Sequence, residues 1–335
     1  MWRWRSGKEP LYWTERAGKR PLTVADLVEC VPNFSEGRNS EIVDALETAI
    51  GSVPGAILLH RTSDTDHNRS VITFAGPPST VVESAIRAVA KAVELIDLTL
   101  HRGVHPRLGA LDVLPFVPLG GATLDDCVAL AHQAGQRIWD ELRVPVYFYE
   151  AAALHPGRVR LEDVRRGQFE GLLGAAISDE SKQPDIGGPG LHPTAGAVIV
   201  GARKLLIAYN IDLKTTDLAL AKSIARRIRT RDGGLPGVKA IGLPLASRNL
   251  VQISMNLTDF ETTPPHVVYA EIARLAAAAG VEIEGSELIG LMPRKALEMA
   301  VADLLKLRSF NGHMVIENRI ESAYPRFLPS PDLLP

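Results

Sequence analysis

Two successive stretches of the chain alternate short apolar runs with segments of helical periodicity, and this alternation is the strongest constraint on the fold. In the first stretch, residues 40–50 and 79–96 carry apolar side chains at helical spacing. Ser79 or Thr80 is expected to cap the second of these helices, and Thr123 with Asp126 predicts a capping box that opens a third. The predicted strands of this stretch are 25–31, 56–60, 70–74, 110–116 and 144–149.

A Gly/Pro-rich break over residues 184–196 precedes the second stretch. The predicted strands 197–201 and 205–211 are expected to pair with each other around a turn at 202–204. The further predicted elements are strands at 238–243 and 250–255 and helices at 218–228, 267–279 and 296–307. Short strand-turn-strand connections interrupt the alternation, which favours mixed sheets with helices packed on one face over a doubly wound parallel fold.

The predicted fold is therefore α/β of the α+β kind, with two subdomains and a boundary near residues 179–181. A chain of 335 residues is long enough for both. We expect residues 25–180 and 181–310 to form the subdomains and residues 311–335 to form a tail. Residues 1–24 are a basic, aromatic leader without the apolar core of a secretory signal. We expect this leader to be a disordered extension or the product of an early translation start; an arm that contacts a partner is the alternative.

Composition excludes several classes of protein. A hydrophobic content of 46% with 23% charged residues is typical of a soluble globular protein. The net charge of −2 argues against non-specific binding to nucleic acid or to an anionic membrane. No apolar run reaches the length of about 18 residues that a membrane helix needs. Cys30 and Cys127 lie outside any metal or redox spacing, so we expect two small core residues in a cytoplasmic protein.

The densest group of reactive side chains is the segment HRGVHPRLGALDV at residues 101–113. Two histidines and two arginines lie there in a turn-rich loop that runs into a predicted strand. A histidine can exchange a proton near neutral pH, and arginines hold anionic groups in place. From the residues alone, a polar loop with incidental charge is an equal alternative. No dinucleotide fingerprint, P-loop, HExxH or EF-hand spacing accompanies this segment.

This segment resembles the catalytic loop of glutamate formiminotransferases. Similar family segments are LVECVPNFSEGR at 27–38, DHNRSV at 66–71, GARK at 201–204 and NLTDF at 256–260. The resemblance is collinear from about residue 27 to about residue 300. It implies two α/β subdomains of ferredoxin-like character, a ligand cleft between them, and a homodimer.

The resemblance also implies a reaction, in which a formimino group passes from N-formimino-L-glutamate to N5 of tetrahydrofolate during histidine degradation. Tetrahydrofolate is then a second substrate, and no metal is expected. The accepting amine must lose a proton and the departing nitrogen must gain one, and a single imidazole can serve both steps. His105 is the residue expected to do so. His101 is expected to be a structural neighbour.

Both substrates carry carboxylates, which arginine binds in bidentate fashion. The candidates for substrate binding are Arg69, Arg102 and Arg107, together with Asp66 and Asn68. Asp64 or Asp66 could assist the histidine, although a turn in which Asp and Asn bond their own backbone is an equal alternative.

Family members bind folate through two segments, and the resemblance places them on two glycine-bearing loops that would let the backbone approach a flat ring. These residues are Gly187, Gly188, Pro189, Gly190, Leu191, His192, Pro193, Thr194, Ala195 and Gly196, and Gly233, Gly234, Leu235, Pro236, Gly237, Val238, Lys239, Ala240, Ile241 and Gly242. Ordinary domain-linking turns are the alternative interpretation.

Two other functions stay open. One is formyl transfer between glutamate and tetrahydrofolate with the same histidine. The other is a folate-binding module without catalysis. Bifunctional relatives carry a cyclodeaminase domain after this one, so we expect a separate cyclodeaminase to act on the product.

Overall fold

The computed structural model describes residues 26–307 and 310–314. These residues form two β-sheets with helices packed against them, so the predicted α+β class is confirmed. The expected leader at 1–24 lies outside the described residues, and so does the tail from residue 315 onward.

The strands are β1 Asp26–Cys30, β2 Asn33–Phe34, β3 Ile57–Asp64, β4 Arg69–Gly76, β5 Leu111–Gly120, β6 Val146–Glu150, β7 Val198–Ala202, β8 Ile207–Leu213, β9 Val238–Leu245, β10 Leu250–Leu257 and β11 Ile283–Ile289. The α-helices are α1 Ser40–Gly51, α2 Pro78–Leu95, α3 Leu124–Leu142, α4 Leu161–Val164, α5 Gln168–Ser178, α6 Leu218–Ile228, α7 Pro265–Ala278 and α8 Arg294–Leu304.

The first sheet contains β1 to β7 and is mixed, as expected. β3 lies at one edge beside β4, and β4 pairs antiparallel with both β1 and β2. β5 pairs antiparallel with β1 and β2 and parallel with β7, and β6 forms the other edge, parallel to β7. The catalytic segment predicted from the sequence therefore enters the middle of this sheet through β5.

The predicted pairing of residues 197–201 with 205–211 is wrong. β7 inserts between β5 and β6 of the first sheet, with Ile199 opposite both Val113 and Tyr147. All five residues of β7 are buried, which suits a central strand that is covered on both faces. The chain changes sheets between Ala202 and Ile207, later than the boundary expected near 179–181.

Helices cover both faces of the first sheet, where one face was expected. α1, α2 and α3 pack on one face around Phe34, Phe74 and Phe116. On the other face, Val164 at the end of α4 and Leu172 of α5 pack against side chains of β5, β6 and β7. No element is predicted from the sequence for residues 151–178, where the structure contains α4 and α5.

The second sheet has the order β11-β8-β10-β9 and is entirely antiparallel, where mixed pairing was expected. α6 and α7 pack on one face through residues such as Ile224 and Ile272. The opposite face carries Asn210, Asp212 and Gln252, which are buried polar residues. This polar face lies toward the first subdomain, because Arg248 beside it is 3.8 Å from Asp64.

Three local predictions have clear outcomes. The capping box of Thr123 and Asp126 opens α3, as predicted. α2 begins at Pro78 without a side-chain cap, because proline supplies the helical φ angle itself; the predicted caps are wrong. Cys30 and Cys127 are buried and have free thiols, as expected for core residues.

In the described part of the chain, the helices are too short or too polar to cross a bilayer.

Candidate active site

The loop that links α2 to β5 is held at both ends. The Leu98 N–H donates to the Thr194 carbonyl at 2.8 Å. At the other end, a Cβ on Gly109 would lie 2.2 Å from the carbonyl oxygen of Ala197, so only glycine permits this close approach of two backbones. The loop thus meets the 187–197 segment before and after its central histidine.

His105 lies at the bend of this loop and is partly exposed. Its Nδ1 is 2.8 Å from the carbonyl oxygen of Pro106. Because a carbonyl only accepts hydrogen bonds, Nδ1 carries the proton of the neutral ring and Nε2 holds a lone pair. The ring centroid of His67 is 5.7 Å away. The geometry therefore offers Nε2 as a base.

Burial and nearby positive charge keep His105 neutral. Burial lowers the pKa of this imidazole well below 6.5, and the cations Arg69 and Arg165 lower the pKa further. His67 acts in the same direction, whereas the hydrogen bond to Pro106 opposes the shift. At neutral pH the ring is consequently ready to accept a proton.

Asp112 is a fully buried carboxylate near the start of β5 that connects the loop to two arginines. Its Oδ1 accepts from the Leu108 N–H at 2.8 Å, and its Oδ2 accepts from Nη1 of Arg69 at 2.9 Å and from Nη2 of Arg165. Burial would raise the pKa of Asp112, but Arg165 and Arg69 lower it below its usual value. Asp112 therefore stays ionised and anchors the loop.

The guanidinium of Arg107 is bonded by other residues of the protein. Its guanidinium makes a bidentate pair with Glu170, with distances of 2.6 and 3.0 Å, and its Nε donates to Nδ1 of His101 at 2.8 Å. The side chain of Arg107 is only 8% exposed. The predicted substrate-binding role conflicts with this arrangement, because the donors of Arg107 are already occupied by the protein.

Asn68 and Arg102 also contact the protein itself. Oδ1 of Asn68 accepts from the Gly37 N–H at 3.0 Å, and Nδ2 of Asn68 donates to the Arg102 carbonyl at 3.1 Å. Nη1 of Arg102 donates to the carbonyls of Thr99 and His101, and Arg102 is exposed. Asn68 thus fastens neighbouring loops together, and Arg102 borders a hollow that it shares with Arg107.

Arg69 is the predicted arginine that does lie beside His105. Its Nε and Nη2 donate to Oδ1 of Asn33 at 3.1 and 2.7 Å, and its Nη1 pairs with Asp112. The side chain is 10% exposed.

The turn between β3 and β4 contacts the second subdomain. Oδ2 of Asp66 accepts from Oγ of Ser247 at 2.5 Å, and Oδ2 of Asp64 lies 3.8 Å from Arg248. Oδ1 of Asp64 accepts from the His67 N–H at 2.6 Å, which is the local turn bond that the sequence left open as an alternative. Both aspartates therefore lie where the two subdomains meet.

Lys239 makes a second connection between the subdomains. Its Nζ lies 2.9 Å from Oε1 of Glu150 and 3.7 Å from Oε2 of Glu162. Lys239 belongs to the second predicted folate segment. Residues 238–242 of this segment lie in the edge strand β9, which contacts the first subdomain at this point.

The glycines of both predicted folate segments are mostly packed against the protein. A Cβ on Gly187 would lie 2.4 Å from the Trp139 ring, and a Cβ on Gly196 would lie 2.0 Å from the Leu108 carbonyl oxygen. In the second segment, a Cβ on Gly242 would lie 2.6 Å from the Lys222 backbone nitrogen. Close packing within the chain explains these glycines without the flat ligand that was expected to require them.

Sequence reasoning missed Asp112 and Arg165 as members of this site. Asp112 stands inside the catalytic segment, but a carboxylate that anchors a loop looks like any strand-entry aspartate in sequence. Arg165 follows α4, in the part of the chain with no predicted element. The helical spacing of Phe169, Leu172 and Ala176 was the available signal that this part folds onto the sheet. Over the described ranges, no group of three or more His, Cys, Asp or Glu side chains is arranged to hold a metal ion.

The comparisons with known proteins agree with the division into two sheets. Residues 27–203 match the family described as the formiminotransferase domain, N-terminal subdomain. Residues 208–321 match the family described as the formiminotransferase domain. The change from one match to the next coincides with the passage from β7 to β8.

Similar proteins extend over most of the chain. Glutamate formimidoyltransferase of Streptococcus pyogenes serotype M1 is 42% identical, over 89% of this chain and 99% of that protein. Glutamate formimidoyltransferase of Thermoplasma acidophilum is 45% identical, over 89% of this chain and 98% of that protein. Formimidoyltransferase-cyclodeaminase of Gallus gallus is 46% identical, over 82% of this chain and 51% of that protein. The chain belongs to the formiminotransferase family.

Proposed function

We propose that this protein transfers the formimino group from N-formimino-L-glutamate to N5 of tetrahydrofolate, with His105 as general acid and base. One observation carries the catalytic part: a neutral imidazole with Nε2 available, on a loop held at both ends, beside two buried arginines. The reaction itself is supported by the relatives, which are named glutamate formimidoyltransferase and match this chain almost end to end.

The proton balance of the reaction requires one group to act twice. Nε2 of His105 accepts the proton that the folate N5 amine loses as the new bond from N5 to the amidine carbon forms. The same nitrogen then donates this proton to the glutamate nitrogen as the old bond from carbon to nitrogen breaks. The products are 5-formiminotetrahydrofolate and L-glutamate, and His105 returns to its neutral form.

Among the predicted substrate-binding residues, Arg69 places a positive charge near His105, but Asn33 and Asp112 already engage its three nitrogen atoms, so we assign it to support of the site. Asp66 stays a candidate at the rim of the cleft. Arg102, Arg107 and Asn68 are assigned to positioning of the loop, for the contacts given above.

We assign tetrahydrofolate to the same cleft, bordered by the two predicted segments 187–196 and 233–242. The first segment bonds the catalytic loop at Leu98, and the second contacts the first subdomain at Lys239. Tetrahydrofolate acts as a co-substrate, and the proposed chemistry uses no metal.

An assay with purified protein tests the function. Incubation with tetrahydrofolate and N-formimino-L-glutamate should give 5-formiminotetrahydrofolate. The absorbance of this product measures the rate. N-formyl-L-glutamate in a parallel reaction tests the formyl alternative. A higher rate with this donor would show that formyl transfer, and not formimino transfer, is the function. Absence of transfer with both donors, alongside measurable folate binding, would favour the non-catalytic module.

We further propose that a separate cyclodeaminase consumes the product, and that the protein is a cytoplasmic homodimer. A similar protein that is named for the transferase alone supports the first point. Ammonia release from the product by the purified protein would contradict it, and light scattering would measure the oligomeric state.

A further inference from the structure

The ion cluster below His105 is not electrically balanced. Asp112 supplies one negative charge to two guanidinium groups, those of Arg69 and Arg165. The side chains of the two arginines are 10% and 11% exposed, and Asp112 is completely buried. One positive charge is therefore held in a poorly solvated place, which is unfavourable unless an anion joins it.

The two arginines differ in how many of their donors are used. Arg69 has three nitrogen atoms engaged, two with Asn33 and one with Asp112. Arg165 donates to Asp112 through Nη2 only. Its Nε is buried and finds no acceptor among residues 26–307 and 310–314. The open donors of the cluster thus belong to Arg165.

The other arginines of the region lack this opening. Arg107 is paired in bidentate fashion with Glu170, and Arg158 is paired with the buried Asp185. Arg166, the sequence neighbour of Arg165, is 75% exposed and pairs with Asp163. Among these arginines, Arg165 combines a pair with a buried carboxylate and a buried Nε that has no acceptor in the described part of the chain.

We propose that Arg165, supported by Arg69 and Asp112, is the seat for one carboxylate of the formiminoglutamate substrate. This inference rests on the proposed function. A carboxylate fits because its single charge balances the cluster and its two oxygens match the planar donors of a guanidinium. Because Asp112 joins Arg165 to the catalytic loop at the Leu108 N–H, shortly after His105, a carboxylate bound there holds the glutamate part of the substrate near the imidazole.

The seat also gives Asp112 a second task. By accepting a hydrogen bond from Nη2 of Arg165, Asp112 orients the guanidinium so that its remaining donors point away from the Asp112 side chain. Arg165 is therefore a specificity-determining residue, and Asp112 is a positioning residue that acts through it.

The test compares Arg165→Gln, Arg165→Lys and the matched control Arg166→Gln. Glutamate binding is measured by calorimetry, and KM is measured separately for formiminoglutamate and tetrahydrofolate. Arg165→Gln should weaken glutamate binding and raise the KM of formiminoglutamate by about 10- to 100-fold, the worth of a charge-assisted hydrogen-bond pair. Arg166→Gln should change neither by more than about twofold.

Arg165→Lys keeps the charge that Asp112 needs but loses the planar donor pair, so it should be folded and still bind glutamate more weakly than the wild type. If Arg165→Gln fails to show a cooperative melting transition, the lysine variant decides the outcome. If a folded Arg165 variant binds glutamate as tightly as the wild type does, the proposed carboxylate site at Arg165 is wrong. A change confined to the KM of tetrahydrofolate would also overturn it, since the carboxylate would then be the folate's own.

Failure of the seat and failure of the proposed function give different results. If the wild type transfers the formimino group and the folded Arg165 variants bind glutamate normally, the seat is wrong and the function stands. If the wild type shows no transfer, the function is wrong regardless of the variants.

Discussion

Arg107 donates from Nε to Nδ1 of His101 at 2.8 Å, and this bond separates the tasks of the two histidines in the catalytic loop. Because Nδ1 of His101 accepts, its Nε2 must carry the proton, which it donates to the Asn68 carbonyl at 2.9 Å. Both ring nitrogens of His101 are therefore occupied. His105 has only Nδ1 bound, so the two histidines should respond differently to the same substitution.

Substitution of His105 by Gln should lower kcat by about 100- to 10,000-fold, the usual contribution of a positioned acid–base group. The melting temperature should change little, since the ring makes one hydrogen bond and is partly exposed. Steady-state kinetics with formiminoglutamate and calorimetric melting would measure both. His101→Gln is the matched comparison and should chiefly lower the melting temperature. A loss of less than about tenfold in His105→Gln would count against its catalytic role.

The protonation of His105 should occur below pH 6.5. Its pKa is lowered by burial, by Arg69 from β4, by Arg165 after α4 and by His67 from the β3–β4 turn, with Asp112 between the two arginines. The neutral ring is the base, so activity should persist as pH falls through 6.5 and be lost at lower pH.

Ring-labelled histidine observed by NMR provides the direct measurement, with His105→Gln to assign the signal. Arg165→Gln removes one of the cations and should raise the pKa of His105 toward 6.5. A wild-type signal that titrates at or above 6.5 would contradict the expected environment.

Replacement of Asp112 by Asn should lower the free energy of unfolding by about 3–5 kcal/mol, because it leaves two buried guanidinium groups without a counter-charge. Asp44→Asn is the matched control. Asp44 pairs with Arg61 at 2.5 Å but is 60% exposed, so its loss should cost at most about 1 kcal/mol. Urea unfolding monitored by fluorescence would measure both variants. Equal effects at the two positions would show that the cluster around Asp112 contributes no more than an exposed pair.

Gly109→Ala should destabilise the protein by about 1–3 kcal/mol or more and reduce transfer activity, because the new methyl group meets two carbonyl oxygens. Those oxygens belong to Ala197 and Leu111, at 2.2 and 2.5 Å from the added Cβ. Gly157→Ala is the control, since no atom lies within 4 Å of its Cβ position. Thermal melting and the transfer assay would compare the two, and equal stability would show that the loop can shift at no cost.

Local periodicity predicted much of the fold because its signals lie within a few residues. Helical spacing located α1, α2, α3, α6 and α7 to within a few residues, and the capping box at Thr123 placed the start of α3. The position of β7 was different. A uniformly apolar strand carries no information about which sheet it enters, and only its neighbours β5 and β6 decide this.

The candidate site divides in the same way. The sequence placed His105, Arg69 and Asp66 in motifs that the structure brings to one region, but it also grouped Arg107 and Asn68 with them. Which donors of an arginine or an asparagine are free depends on partners far away in sequence, such as Glu170 for Arg107 and Gly37 for Asn68.

By itself, the sequence determined the class of fold and the reactive loop, because spacing and turn chemistry are properties of neighbouring residues, and its resemblance to a family singled out His105 as the candidate base. Only the tertiary structure decided the protonated nitrogen of each histidine, the pairing of Asp112 with two arginines, and the open donors of Arg165. The ion cluster depends on contacts between segments that the chain separates by 43 and 53 residues. The protonated nitrogens depend on how the catalytic loop bends back on itself, and burial sets the strength of all these contacts.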